Sequence, residues 1–140
     1  MYTCVAGEPV PQPRARVSAR GGFARAYVPA KHPVHAYRKS ISDAWSADMA
    51  TWGIDAFLGS VRVIIEAVFS RPKSHRTKKG IRSSAPPRPR ADVDNVAKAV
   101  LDSLTGCAWE DDAQVVHLSV SKRWTEAEFG WTMIIIEEVE

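Results

Sequence analysis

The sequence predicts a single α+β domain over residues 1–140, a mixed β-sheet packed with two main helices. Three observations predict it. The chain has 140 residues, enough for one domain with a real core and too few for two ordinary ones. Apolar residues recur at helical spacing in some stretches and at strand spacing in others. The elements follow the order hairpin, helix, strand, loop, helix, strand, strand, with no internal repeat.

Residues 2–6 form a short strand, and the Pro-rich turn "GEPVPQP" follows. In "RARVSARGGFARAYVP" two short extended runs flank Gly21-Gly22, and two glycines admit the positive φ of a tight hairpin turn. In "KHPVHAYRKSISDAWSADMATWG" a helix is expected, because Tyr37, Ile41, Ala44, Trp45, Met49 and Trp52 recur every three or four residues. Pro33 suits its first turn and Gly53 its stop. "VRVIIEAVF" is a strand with Val61, Val63, Ile65, Ala67 and Phe69 on one face and Arg62 and Glu66 on the other. Residues 71–90 are too polar and Pro-rich to order themselves, so a mobile basic loop is expected there. A second helix runs from Asn95 to about Thr105, burying Val96, Val100 and Leu104 with help from Ala97 and Leu101. "QVVHLSVSKRW" is a strand with Val116, Leu118 and Val120 on one face, and "FGWTMIIIEEV" is another. These two are expected to form a hairpin across "TEAE".

The formal net charge is only +3. Its distribution is uneven, since "RPKSHRTKKGIRSSAPPRPR" holds eight Arg or Lys and no acid. The N-terminal stretch adds Arg14, Arg16, Arg20 and Arg25 against Glu8. Such concentration beside a net-negative remainder points to a polyanion partner. The alternative is a solvated linker. No apolar run reaches the roughly 18–20 residues of a membrane span. The N-terminus lacks the charged-then-apolar order of a signal peptide. Cys4 and Cys107 have no CxxC spacing, which argues against a zinc site or disulfide framework and for reduced thiols in a cytoplasmic protein. His32, His35, His117, Trp109 and Trp124 are read as structural side chains.

The chemistry concentrates in "ADVDNVAKAVLDSL" and "WEDDAQVV". In an extended segment residues i and i+2 point the same way, so Asp92 and Asp94 can face one point. Two close carboxylates repel unless a cation joins them, and hard oxygen ligands suit Mg²⁺ or Mn²⁺. Equally, Asp94 can cap the helix while Asp92 gains from the helix dipole, and the residues alone favour this account. The two roles can coexist. Lys98 and Asp102 follow Asp94 at four-residue steps on one exposed face, either as an ordinary ion pair or as a cation held near a phosphate. Glu110, Asp111 and Asp112 make a polar turn that joins the site only if the next strand lies beside it.

The combined pattern is Asp-x-Asp-Asn, a Lys four residues after the second Asp, Asp-Ser-Leu, then Trp-x-Asp-Asp-x-Gln-Val. It closely resembles the RusA family of Holliday junction resolvases of bacteria, phages and prophages. The likeness is strong over residues 90–123 and looser elsewhere, where the arginine-rich N-terminal hairpin is similar to that of phage-type members. Ala91 departs from the family's frequent Pro, and the basic loop is longer than in short members. The resemblance implies metal-binding carboxylates at Asp92, Asp94 and Asp112 and an essential lysine at Lys98. Asp102 and Asp111 fall at positions that are frequently acidic. It further implies a Mg²⁺-dependent endodeoxyribonuclease, with Mn²⁺ as a substitute, that resolves four-way DNA junctions by paired symmetric nicks in recombination and repair. Such an enzyme is expected to be a homodimer in the bacterial cytoplasm, encoded by phage, prophage or host, with no membrane partner. Arg14, Arg16, Arg71, Lys73, Arg76, Lys78, Lys79 and Arg82 would then grip backbone phosphates. The rivals are a non-catalytic branched-DNA-binding protein on the same fold and a flap or fork nuclease using the same site.

Overall fold

In the computed structural model, which describes residues 1–140, the chain runs through β1 (Tyr2–Ala6), β2 (Arg16–Ser18), β3 (Arg25–Tyr27), α1 (Val34–Trp52) and β4 (Ser60–Ser70). It continues through β5 (Arg76–Thr77), β6 (Gly80–Ile81), α2 (Val93–Leu104), β7 (Val115–Thr125) and β8 (Trp131–Val139). The main sheet has the order β1-β8-β4-β7; β4 is parallel to β7 and antiparallel to β8, which is antiparallel to β1. The expected mixed sheet and two helices are therefore present.

The core follows from the periodicities. Val61, Val63, Ile65 and Ala67 of β4 are fully buried, as are Ile134 and Ile136 of β8. Tyr37, Ile41 and Trp45 of α1 and Val96, Val100 and Leu104 of α2 pack into the same cluster. Helix α1 stops at Gly53, whose φ of 62° takes the left-handed C-cap conformation that glycine adopts without a Cβ penalty. Trp52, the last residue of the expected stripe and of the helix, is exposed.

The final two strands correct an expectation: β7 and β8 do not pair as a hairpin but flank β4 on opposite sides. Strand β4 is apolar at Ile64 and Val68 as well as on its core face, so it takes the central position with neighbours on both edges. The link from β7 to β8 must then cross the end of β4. Gly130 makes that crossing possible, since a Cβ there would lie 2.3 Å from the Val68 carbonyl oxygen. Glu8 fastens it, accepting the Gly130 N–H at 2.9 Å and the Ser70 N–H at 3.0 Å. Alternation along β7 also breaks at a bulge: Val61 pairs with Val115 but Arg62 with His117, leaving Val116 unpaired and exposed. Leu118 is exposed too, because β7 is an edge strand, while Val120 packs against the core.

The basic segment 71–90 is not the featureless loop expected. It forms the β5–β6 hairpin, and Trp124 of β7 donates its indole N–H to the Pro86 carbonyl at 3.0 Å. His75 meets the Trp124 ring edge-on at 5.4 Å and Arg71 lies over it at 5.5 Å. One aromatic side chain from the body supplies the apolar contact that the segment lacks by itself.

Candidate active site

Helix α2 begins at Val93, two residues earlier than expected, so Asp92 and not Asp94 is at the N-cap position. Asp92 has extended backbone, φ −74° and ψ 135°, but its side chain caps nothing. Asp94 lies in the first turn. The strand-like i, i+2 relation therefore does not apply, and one residue is outside the helix while the other is inside. Both carboxylates are exposed, and neither forms an ion pair with the protein. They lie at the N-terminal end of α2, where the helix dipole is positive.

Asp92 lines a cleft of about 360 Å³ together with Arg88, Arg90 and Lys122. Lys122 donates to the Ala91 carbonyl at 2.5 Å, which brings an ammonium beside the peptide before Asp92. Pro86 and Arg90 are shared with an adjoining groove lined by His75, Arg82 and Trp124. The two clefts make a cationic path from the basic segment to Asp92. The sequence gives no local sign of this role for Lys122, since 31 residues separate it from Ala91.

Lys98 is on the exposed face of α2, with its Nζ 3.6 Å from Asp102 Oδ2. Asp102 is held more closely by Arg38 of α1 at 2.7 Å, and Arg38 also donates to the Gln12 side chain. Asp102 thus fastens the two helices together, which accounts for an acid near a helix C-terminus. The Gln12 N–H donates to the Asn95 carbonyl at 2.8 Å, so the Pro-rich segment crosses the mouth of α2.

Asp112 lies elsewhere. Its Oδ1 accepts the Trp109 indole N–H at 3.0 Å and the Thr105 hydroxyl, at the C-terminal end of α2. Eleven residues of helix separate Asp94 from Thr105, roughly 16 Å along the axis. Asp111 caps the next turn, accepting the Ala113 N–H at 2.8 Å, while Gln114 accepts the Asp111 N–H at 3.1 Å. Gln114 also donates to the Phe57 and Gly59 carbonyls. "WEDDAQVV" is thus a clasp built on buried Trp109, and no group of three or more metal-ligating side chains assembles within the chain. Two unpartnered carboxylates nevertheless fit a hard cation that keeps most of its waters, as Mg²⁺ does.

Among the predicted phosphate contacts, Arg71 and Arg76 are engaged with Glu126 at 2.9 and 2.7 Å. Arg14, Arg16, Lys73, Lys78, Lys79 and Arg82 enter no ion pair. His32 and His35 serve the start of α1: His32 Nδ1 accepts the Val34 N–H, and the His35 ring bonds the Pro29 carbonyl.

Residues 6–136 match the family model of the endodeoxyribonuclease RusA. The chain belongs to the RusA endodeoxyribonuclease family, whose members are nucleases that resolve Holliday junctions. It is 33% identical over 125 residues to YqaN of Bacillus subtilis (strain 168), an uncharacterized protein, covering 87% of this chain and 86% of that one. No helix is long and apolar enough to cross a membrane.

Proposed function

We propose that this chain is a Mg²⁺-dependent endonuclease, able to use Mn²⁺, that resolves four-way junctions by paired symmetric nicks as a homodimer. The observation that carries this is the pair of partnerless carboxylates, Asp92 and Asp94, at the mouth of α2, with Asp92 in a cleft lined by Arg88, Arg90 and Lys122. A protein that only bound DNA would gain nothing from free acids facing phosphates.

Asp92 and Asp94 would hold the ion. When bound, Mg²⁺ lowers the pKa of an associated water and offsets charge building on the phosphate. Arg88, Arg90 and Lys122 would orient the strand by its non-bridging oxygens. Lys98, one turn beyond Asp94 and shared with Asp102, would supply a further positive charge on the same side. Lys73, Lys78, Lys79, Arg82, Arg14 and Arg16 would grip flanking phosphates, so affinity should fall steeply with salt. Asp112 is too far along α2 to join Asp92 in one chain, so its part in an ion site requires a second copy. A C₂ pair also matches the two-fold symmetry of the junction.

The test is cleavage of a synthetic four-way junction in Mg²⁺ by wild type and Asp92→Asn, with binding measured in parallel. Wild type should cut, and Asp92→Asn should bind but lose cutting by a hundredfold or more, on the order of 10² or above for a lost charge-stabilising group. A wild type that binds and never cuts in Mg²⁺ or Mn²⁺ leaves the non-catalytic alternative standing. Neutralising Lys78, Lys79 and Arg82 together should weaken binding and flatten its salt dependence; an unchanged slope removes that segment from the interface.

A further inference from the structure

The β2–β3 hairpin forms a sheet of its own, with three residue pairs from Arg16↔Tyr27 to Ser18↔Arg25 and no strand partner in the main sheet. Its turn uses Gly21 and Gly22 at φ of 77° and 79°. A two-stranded hairpin this short is marginal in water without a packing partner. Yet it exposes its large apolar side chains: Val17 is 70% exposed, Phe23 75% and Tyr27 47%. The arginines around them, Arg14, Arg16, Arg20 and Arg25, meet no carboxylate. No acid occurs between Pro9 and Ser42.

The chemistry of this arm selects its occupant. Unpaired arginines call for a polyanion, and exposed aromatic rings among them call for flat apolar faces on that same polyanion. Nucleic acid offers both where base stacking is interrupted. Continuous duplex hides its base faces, whereas the base pairs flanking a branch point lose a stacking partner when the arms are opened. Arg20, Phe23, Arg25 and Tyr27 line one open depression on the arm, so the cationic and aromatic side chains present a common surface. The root of the arm is fixed at the catalytic end: Gln12 hydrogen-bonds Asn95, next to Asp94. From Gln12 to Gly21 an extended chain reaches at most about 30 Å.

We propose that the β2–β3 arm reads the branch point, with Phe23 and Tyr27 stacking on bases uncovered at the strand exchange while Arg14, Arg16, Arg20 and Arg25 hold the adjoining phosphates. This rests on branched DNA being the substrate. The arm gives junction selectivity, and the carboxylates at the mouth of α2 act on whatever strand it positions.

The experiment compares wild type, Phe23→Ala/Tyr27→Ala and Arg16→Gln/Arg25→Gln on a four-way junction and on linear duplex of the same sequence. 2-Aminopurine at the branch point reports stacking, and sedimentation reports mass. The aromatic variant should lose roughly tenfold or more in junction affinity, the scale of one lost base stack, with duplex affinity and mass unchanged. It should also lose the 2-aminopurine quenching expected with wild type. The arginine variant should weaken both substrates alike. An aromatic variant that keeps wild-type junction preference overturns the assignment, as does one whose mass falls, which would make the arm a contact between copies. A wild type that binds junction and duplex equally overturns the substrate reading, and the arm's role with it.

Discussion

Asp112 accepts the indole N–H of a tryptophan that is 1% exposed, so its first duty is structural. Asp112→Asn keeps an oxygen acceptor and should leave the thermal midpoint near wild type. Asp112→Ala strands the buried donor and should cost about 1–3 kcal/mol, read by denaturant unfolding. Tyr37 makes a second prediction at this scale. Burial pushes its phenol up to about 12 from 10.0, against the lowering effect of its 2.7 Å bond with Thr132. The neutral form is therefore favoured in the fold: its contribution is complete below pH 10 and lost as pH rises from 10 to about 12. Tyr37→Phe should flatten that alkaline limb in a stability–pH titration. Burial likewise raises the Cys107 thiol, whereas Cys4 is exposed. A thiol reagent near pH 8 should label Cys4 first.

At the scale of elements, the periodic segments were legible and their neighbours were not. Alternation in β4 and the three-to-four spacing of Tyr37, Ile41 and Trp45 state which face is buried, because that information is local. They do not state which strand lies alongside. The expected β7–β8 hairpin failed for that reason: Gly130 and Glu8, not the residues of the two strands, allow the chain to cross β4. Gly130→Ala should accordingly destabilise by roughly 2 kcal/mol or more, since the backbone must move away from Val68. The site was legible in the same partial way. The Asp92–Asp94 spacing marked the mouth of α2, but its precise start at Val93 left Asp92 at the cap position without a capping bond. Arg38, Gln12 and Lys122 escaped notice because they reach α2 or the peptide before it from 31 or more residues away. A double-mutant cycle on Arg38 and Asp102 should give a coupling of about 1 kcal/mol, the upper end for exposed pairs, since these side chains are only 25% and 29% exposed.

For the whole molecule, both helices lie on one face of the sheet. The other face carries Ile64, Met133 and Ile135 between the ion pairs Arg62–Glu137 and Arg123–Glu66. Both edge strands of the main sheet, β1 and β7, are paired on one side only. Charge is unevenly divided: the arm and the basic segment are cationic while Asp92 and Asp94 sit at the mouth of α2, and under the proposed function the first would attract phosphate and the second an ion. A supercoiled plasmid carrying an extruded cruciform tests this most directly, because paired nicks across the junction yield linear DNA while one nick yields an open circle. In Mg²⁺ the wild type should produce linear plasmid, and Asp92→Asn, still bound to the cruciform, should produce neither form. Linear product formed by Asp92→Asn at the wild-type rate would contradict the assignment of the catalytic ion to the mouth of α2.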